Sequence, residues 1–256
     1  MCYNSHMTET ATIRTGRTAL ALVIPDVHER VGQLPILQNL IDEARACDPT
    51  QRIVFMGDMW DTYGEHHPQD ICDFISTNLP NTQVEFLLGN HDAHYLFSSG
   101  LLRSSGYSWG TAAVIDAWPD KNRYTSGLKF CTNVGKWWLS HAGIHPSLDW
   151  YKDPAKQAEA FALLRVNGCP QAAAAGRSRG GTAKYGGLTW LDWSEHEVGQ
   201  DDFQICGHTF AKEVRRLSGS NGEHICLDTG LRHVAVIHDD DSVEVKDLRY
   251  DDLADQ

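Results

Sequence analysis

Five clusters of polar side chains in this 256-residue chain have the residue types that bind divalent metal ions, and each cluster follows an apolar run. The clusters are Asp26/His28, Asp58/Asp61, Asn90/His91/Asp92, His141 and His208. Imidazole nitrogens, carboxylates and an amide oxygen, with no cysteine among them, suit manganese, iron, zinc or a mixed pair of ions. Two divalent ions about 3.5–4 Å apart share a carboxylate and need several further ligands on each side. The chain has enough such residues for a two-metal site.

Each cluster is weak evidence when it is taken alone. With 23 Asp and 13 His in the chain, roughly one Asp-x-His tripeptide is expected by chance, so Asp26 and His28 alone could reflect composition. Chance does not explain why all five clusters fall where an apolar run ends. The carboxyl ends of strands in an open α/β sheet are where ligands bind, so the placement favours a common site.

The apolar runs predict the elements that would position these side chains. They indicate strands at 18–24, 53–56 and 84–88, with helices at 34–46 and 70–78 between them. Further strands are predicted at 130–134, 137–140, 203–206, 224–228, 234–237 and 243–245, and further helices at 111–117 and 154–166. The segment 176–187 is glycine-rich and is predicted to be a loop, a setting in which functional residues are common.

Composition excludes several classes of protein. A hydrophobic fraction of 41% and a charged fraction of 22% are typical of a globular chain. The net charge of −12 argues against nonspecific binding of nucleic acid or of anionic membranes. Seven cysteines without a Cys-x-x-Cys pair suit reduced thiols, and no apolar run has the length of a membrane span or a signal peptide core. We therefore expect a cytoplasmic protein that does not bind membranes.

The same patterns predict the domain organisation. We expect a single domain over 18–250, with an insertion at 93–136 that lies on the substrate side as a lid or a docking surface. Residues 1–17 are expected to be disordered or vector-derived, and 251–256 to form an acidic tail.

The ordered set of motifs resembles the calcineurin-like metallophosphoesterase superfamily. The motifs are Asp-x-His at 26–28, Gly-Asp-x-x-Asp at 57–61, Gly-Asn-His-Asp at 89–92, His-Ala-Gly at 141–143 and Gly-His-Thr at 207–209. The segment from His141 to Pro146, together with Trp193-Ser194, is most similar to phosphoprotein phosphatases and symmetrical diadenosine tetraphosphate hydrolases. The resemblance implies an α/β fold, a sandwich of two mixed β-sheets flanked by helices.

The resemblance also implies roles for individual residues. It implies as metal ligands Asp26 and His28 for the first ion, Asn90, His141 and His208 for the second, and Asp58 between both. The ions would be manganese, with iron and zinc as alternatives, and a hydroxide between them would attack the phosphorus. His91, oriented by Asp61, would be the general acid, and a placed acid contributes roughly 10²–10⁴ in rate.

Two positions depart from the family pattern. Thr62 stands where phosphoprotein phosphatases have an arginine that binds the substrate phosphate. Because phosphate recognition favours a guanidinium group, we expect Arg179 or Arg177 to replace it, with Arg30 as the next candidate. Phe210 stands where many members of the superfamily have a second histidine ligand.

The leading functional hypothesis is a phosphomonoesterase whose substrate is a phosphoprotein, a nucleotide or a small metabolite. One alternative is a pyrophosphohydrolase that cleaves dinucleoside polyphosphates. A remote alternative is a non-catalytic metal-binding scaffold, but such a protein should lack the acid histidine or several ligands, and here every one of these positions is filled.

Overall fold

Two five-stranded mixed β-sheets form the centre of the fold in the computed structural model, which describes residues 17–62, 64–97 and 103–248. Helices flank the sheets, so the predicted architecture of two mixed sheets is confirmed. The expected N-terminal segment, apart from Arg17, and the expected acidic tail lie outside the described residues. No described helix is long and apolar enough to cross a membrane.

The first sheet has the strand order β10-β9-β1-β2-β3. Its strands are β1 (Ala19–Ile24), β2 (Arg52–Phe55), β3 (Val84–Phe86), β9 (His233–His238) and β10 (Val243–Asp247). Strands β1, β2 and β3 are parallel, and β9 runs antiparallel to β1. The carboxyl ends of the three parallel strands therefore meet at one edge of the sheet.

The second sheet has the order β4-β5-β6-β8-β7. Its strands are β4 (Cys131–Val134), β5 (Trp137–Ser140), β6 (Asp202–Cys206), β7 (Arg215–Ser218) and β8 (Gly222–Cys226). Strands β5, β6 and β8 are parallel, whereas β4 and β7 are antiparallel edge strands. Strand β7 escaped sequence-based prediction because it is an exposed edge strand with charged residues and no buried face.

Six α-helices complete the described fold. They are α1 (Leu34–Cys47), α2 (Pro68–Asn78), α3 (Asn90–Leu96), α4 (Trp109–Ala117), α5 (Lys121–Gly127) and α6 (Pro154–Arg165). Helices α3 and α5 were not predicted. The first begins inside a polar motif, and the second buries only Tyr124, so neither shows a helical period of apolar residues.

Apolar side chains fill both faces of strand β1. Leu22 and Ile24 pack in one core cluster with helices α1 and α2, and Ala21 and Val23 pack in a second cluster between the two sheets. Because successive side chains of a strand point to opposite faces, a strand buried on both sides reads as a continuous apolar run. This burial explains why the run was visible in the sequence and why its end is fixed in space.

The segment 93–136 packs partly into the core. Trp118 and Tyr124 lie edge-on against the buried Trp60, with ring centroids 6.0 and 5.6 Å away. The indole N–H of Trp118 also donates a hydrogen bond to the Ser76 hydroxyl, at 2.9 Å. Helices α4 and α5 are therefore anchored beside the residues that follow strand β2.

Candidate metal centre

The ends of five strands bring the predicted ligands together. Strands β1, β2 and β3 of the first sheet lead into Asp26/His28, Asp58 and Asn90, respectively. Strands β5 and β6 of the second sheet lead into His141 and His208. Each sheet contributes part of the set, so the site lies where the carboxyl ends of both sheets meet.

Left-handed backbone conformations recur at these residues. The φ angles are 48° at His28, 50° at Asp58, 69° at Asp61 and 66° at His208. A residue with a side chain held in a sparsely populated region costs roughly 1–3 kcal/mol, and such residues cluster at functional sites. The turns after the strands thus aim these side chains at the expense of local stability.

Two glycines allow the close approach of the buried carboxylates. A Cβ atom added at Gly89 would lie 2.1 Å from Asp58 Oδ1, and one added at Gly207 would lie 1.9 Å from Asp26 Oδ2. Neither contact is sterically possible. The glycines of the Gly-Asn-His-Asp and Gly-His-Thr motifs are therefore required by packing against the predicted ligands.

His141 Nε2 is the centre of one group of potential ligand atoms. It lies 3.0 Å from Asn90 Oδ1, 3.2 Å from His208 Nδ1 and 3.3 Å from Asp58 Oδ2. The other ring nitrogen, Nδ1, lies 3.0 Å from the Met56 carbonyl, which can only accept, so Nδ1 must donate. Two imidazole nitrogens, an amide oxygen and a carboxylate oxygen that converge in this way match a divalent cation.

A second group shares Asp58 with the first. Potential ligand atoms of Asp26, His28 and Asp58 lie within 4.8 Å of one another. His28 Nδ1 donates to the Asp61 carbonyl at 3.0 Å, which leaves Nε2 facing Asp58 Oδ2 at 3.7 Å. Asp26 Oδ1 accepts a hydrogen bond from the His208 backbone N–H at 2.9 Å, whereas the buried Oδ2 has no protein partner. An orphaned carboxylate oxygen inside the cluster is a position that suits a cation.

The electrostatics of the cluster also favour a cation. Burial raises the pKa of Asp26, and the neighbouring carboxylate of Asp228 raises it further. Burial alone would lower the pKa of His141, but the charge and hydrogen bond of Asp58, together with the charges of Asp26 and Asp92, outweigh burial and raise the pKa to about 10. The carboxylate contributions to both shifts come from a concentration of negative charge that a cation would relieve. Asp228, which follows strand β8, was not singled out in the sequence, although it too stands at the end of an apolar run.

His91 lies beside the predicted metal ligands and is held by Asp61. Its Nδ1 donates to Asp61 Oδ2 at 2.8 Å, and the carboxylate also accepts from the Tyr95 hydroxyl. Burial would raise the pKa of Asp61, but hydrogen bonds from His91, His94 and Tyr95 lower it, so the group stays ionised. Burial would lower the pKa of His91, but the charges of Asp58 and Asp61 raise it. The imidazole is thus oriented and disposed to carry a proton.

Two buried carboxylates hold the loop that carries Asp58. Asp92 accepts backbone N–H groups from Asp58 and Met59, both at 2.8 Å. Glu29 accepts from the backbone N–H groups of Asp61, at 3.0 Å, and His67, at 2.5 Å. The sequence included Asp92 in a cluster without a role, and it gave no signal for Glu29. Both act by fixing the backbone under the site.

Ser104 links the insertion to both parts of the site. Its hydroxyl lies 3.0 Å from Asn90 Nδ2, which donates to it, and 3.3 Å from His94 Nδ1. The other nitrogen of His94 lies 3.1 Å from Asp61 Oδ2. The hydrogen bond from Asn90 Nδ2 fixes the amide so that its oxygen faces His141. Neither Ser104 nor His94 was assigned a role from sequence.

Ser104→Ala is expected to weaken metal binding without removing a ligand. The freed Asn90 amide would no longer be held with its oxygen inward, and losing such an outer partner costs roughly 10–100-fold in metal affinity. Activity measured against manganese concentration should therefore shift to higher concentration, with kcat nearly restored at saturation. Ser126→Ala, at an exposed serine whose hydroxyl donates to the Arg123 carbonyl, is the matched control. An unchanged metal dependence in Ser104→Ala would contradict this role.

The three candidate arginines occupy different positions. Arg179 donates from Nη2 to Thr209 Oγ1 at 2.8 Å, and its Nε lies 2.7 Å from Asp192 Oδ2. Arg30 donates from Nε to the Gly230 carbonyl at 2.8 Å. Each contributes to lowering the pKa of a nearby predicted ligand, His208 and His28 respectively, although burial is the larger cause in both cases. Arg177 is exposed, and Phe210 is exposed at the position of the missing second histidine.

The chain is similar to known proteins both in sequence and in fold. A sequence model of the calcineurin-like phosphoesterases matches residues 20–211. Among solved structures, the chain is similar to a cold-active protein-tyrosine phosphatase from a psychrophilic Shewanella species, with a TM-score of 0.58 and 17% identity over 88% of this chain and 79% of that one. It is also similar to a hypothetical protein from Pyrococcus horikoshii OT3, with a TM-score of 0.52 and 11% identity over 91% and 88%. These identities show a shared fold alone. No curated protein sequence gives a significant match.

Proposed function

The chain belongs to the calcineurin-like phosphoesterase family and is therefore a hydrolase of phosphoric ester bonds, and from this premise we propose that it is a two-metal phosphomonoesterase. One observation carries the proposal. Asp58 Oδ2 lies between His28 Nε2, at 3.7 Å, and His141 Nε2, at 3.3 Å, so one carboxylate belongs to both groups of potential ligands. A shared carboxylate is what a pair of closely spaced ions requires.

The proposed ligands fall into the two groups already described. Asp26, His28 and Asp58 would hold one ion, and Asp58, Asn90, His141 and His208 the other. We propose manganese, because the set mixes carboxylate and amide oxygens with imidazoles and has no thiolate. When bound, two such ions lower the pKa of water and neutralise the charge of the phosphoryl oxygens.

His91 would supply the proton that the leaving oxygen needs. Asp61 binds its Nδ1, so Nε2 is the nitrogen from which the proton would pass to the leaving group. The raised pKa of His91 keeps the ring protonated at higher pH than a free histidine. His94 and the Tyr95 hydroxyl also contact the Asp61 carboxylate and keep it in place. The His91 ring therefore stays oriented after its proton leaves.

Arg179 and Arg30 would bind the substrate phosphate, because Thr62 stands where phosphoprotein phosphatases have a phosphate-binding arginine. Thr209 follows the proposed ligand His208 directly, so the contact of Arg179 with Thr209 places the guanidinium at the edge of the second group. Asp192 orients the same guanidinium through Nε. A guanidinium with two of its nitrogens held by protein groups loses little side-chain freedom when it binds a phosphate.

Arg179→Gln is expected to lower kcat/KM for phosphate monoesters by roughly 10–150-fold, since a hydrogen bond to a charged group contributes about 1.5–3 kcal/mol. Most of the loss should be in KM if the contact is made to the bound substrate as well as to the transition state. Arg177→Gln makes the same chemical change at an exposed arginine two residues away. Equal effects of the two variants would remove Arg179 from the phosphate site.

A substrate panel tests the proposed function. The panel consists of p-nitrophenyl phosphate, its bis ester, phosphoseryl and phosphotyrosyl peptides, and diadenosine tetraphosphate, each with added manganese. The phosphotyrosyl peptide is included because the Shewanella relative is described as a protein-tyrosine phosphatase. We expect the monoesters to be hydrolysed. Turnover of the bis ester alone would overturn the monoesterase proposal, and turnover of diadenosine tetraphosphate alone would establish a pyrophosphohydrolase.

A further inference from the structure

A chain of three side chains leads from the second sheet to the turn that follows His141. Asp202 begins strand β6, His224 lies in the neighbouring strand β8, and His196 precedes β6. Asp202 Oδ2 lies 2.8 Å from His224 Nε2, and His224 Nδ1 lies 3.0 Å from His196 Nδ1. His196 Nε2 lies 3.0 Å from the Ala142 carbonyl oxygen. We call Asp202, His224 and His196 the Asp-His-His chain.

The turn after His141 is shaped to receive the His196 ring. A Cβ atom added at Gly143, whose φ is +108°, would lie 2.4 Å from His196 Cε1 and 2.6 Å from its Nε2. Such a contact is sterically impossible, so the position requires glycine. The Ile144 backbone N–H donates to Gln204 Oε1 at 2.7 Å, which ties the same turn to strand β6. The His196 ring therefore packs directly against the turn, one residue beyond the predicted ligand.

The hydrogen-bonding groups at the two ends of the chain fix the number of protons on the two rings. The Ala142 carbonyl and an ionised Asp202 carboxylate can only accept, so both Nε2 atoms must carry a proton. The two Nδ1 atoms face each other at 3.0 Å, which requires one proton between them. The rings therefore hold three protons, one more than two neutral imidazoles, and the pair carries a positive charge.

The charges around the pair agree with this count. Burial would raise the pKa of Asp202, but hydrogen bonds from His224 and Gln204 lower it to about 2, so the carboxylate stays ionised. Burial lowers the pKa of His196 to about 4, and the charge of His224 adds to the effect, so His196 is the neutral ring. His224 then carries the positive charge, next to the Asp202 carboxylate that offsets it.

Three other titratable or charged groups lie around the pair. The charge of Arg215, in strand β7, also lowers the pKa of His196 and so opposes an additional proton. Cys206 Sγ lies 4.0 Å from His196 Nε2, and burial raises the pKa of this thiol, which therefore stays neutral. Glu197 is directed at a different histidine. Among the described residues, Asp202 is thus the carboxylate that pairs directly with the two rings.

We propose that the Asp-His-His chain positions the predicted ligand His141 and is held together by the proton that its two rings share. The inference rests on the proposed function, because it takes His141 to bind the second ion. Without the shared proton, the lone pairs of the two Nδ1 atoms would face each other, and His196 would move away from the turn. Asp202 retains the proton because a carboxylate favours the charged form of a neighbouring imidazole.

Nuclear magnetic resonance of metal-free protein labelled with ¹⁵N-histidine tests the shared proton without metal or substrate. At neutral pH we expect the Nε2 nitrogens of His196 and His224 to be protonated, with one further proton between the two Nδ1 nitrogens. The signal of that proton should disappear in His224→Gln, which assigns it. Two neutral rings without a shared proton in the wild type would overturn the proposal.

Asp202→Asn tests the positioning role, because the amide keeps an acceptor oxygen for His224 and removes only the negative charge. Without that charge the shared proton should leave at lower pH, so the turn should loosen first under alkaline conditions. Electron paramagnetic resonance of free manganese measures the affinity directly. Relative to the wild type, we expect the affinity to fall by at least about tenfold at about pH 8.5 and by less than about twofold at about pH 6.

Glu244→Gln is the matched control. It makes the same carboxylate-to-amide change beside His238, a buried histidine that pairs with Ala19 at the end of the first sheet opposite the predicted ligands. A loss of affinity in Asp202→Asn that is equal at both pH values would indicate a merely structural role and overturn the proposal, as would no loss at either. A wild type that binds manganese but hydrolyses no monoester would defeat the proposed function alone, since these measurements need no turnover. A wild type that binds no manganese would defeat both.

Discussion

His91→Ala is expected to lower kcat on alkyl phosphates by roughly 10²–10⁴-fold, because the leaving alkoxide would no longer receive a proton from a placed acid. His91 is the proposed donor because Asp61 binds its Nδ1 and because its pKa is raised. p-Nitrophenolate is a weak base that leaves without protonation, so kcat for p-nitrophenyl phosphate should fall far less. Steady-state kinetics on ribose 5-phosphate and p-nitrophenyl phosphate measure the difference directly.

The control for this experiment is metal content. The His91 side chain is not among the proposed ligands, and its backbone N–H, which donates to Asp58 Oδ1 at 2.8 Å, is retained in the variant. We therefore expect His91→Ala to bind as much manganese as the wild type. His67→Ala, at a histidine near the same loop, should have little effect on either substrate. Equal losses of His91→Ala on both substrates would assign the residue to positioning instead of proton transfer.

Asp58→Asn is expected to remove most of the bound metal and nearly all turnover. The side chain keeps its shape but loses the negative charge that both groups of ligands share. Mutation of a residue that only orients a ligand lowers metal affinity by roughly 10–100-fold. Loss of the shared carboxylate should therefore lower metal affinity by more than about a hundredfold. Metal analysis after gel filtration, together with kcat/KM in excess manganese, would measure both effects.

Thermal unfolding gives an independent measure of the same variant. A ligand that binds only the folded state raises its stability by mass action, so manganese should raise the Tm of the wild type and have little effect on Asp58→Asn. Asp70→Asn makes the same carboxylate-to-amide change at a side chain that is 61% exposed and should behave as the wild type. An Asp58→Asn protein that binds two ions and retains activity would refute the shared-carboxylate arrangement.

The parts of the fold that could be predicted from sequence are those with strong local signals. Strand β1 is buried on both faces and reads as an apolar run, and the polar residue that follows it must then lie at the sheet edge. The same reasoning placed Asp58 and His141 at strand ends, and the structure brings them within 3.3 Å of each other. Their proposed roles as ligands come from the family resemblance and stay predictions.

The supporting residues could not be predicted because their partners are distant in sequence. Glu29 is a buried carboxylate whose partners, the backbone N–H groups of Asp61 and His67 and the ring of His66, lie more than thirty residues away. Ser104 and His94 act between Asn90 and Asp61 across an irregular segment that shows no periodic pattern. Edge strand β7 could not be predicted for a different reason: its residues are largely exposed and show no pattern of burial. Such features depend on tertiary contacts and not on local propensity.

The central claim is that this chain hydrolyses phosphate monoesters with two metal ions held by the carboxyl ends of its two sheets. Its most direct test is metal analysis of protein purified without chelator, paired with activity before chelation, after chelation and after manganese is added back. We predict two ions per chain, loss of activity on removal, and recovery that follows the return of both ions. Full activity in the metal-stripped protein would contradict the account.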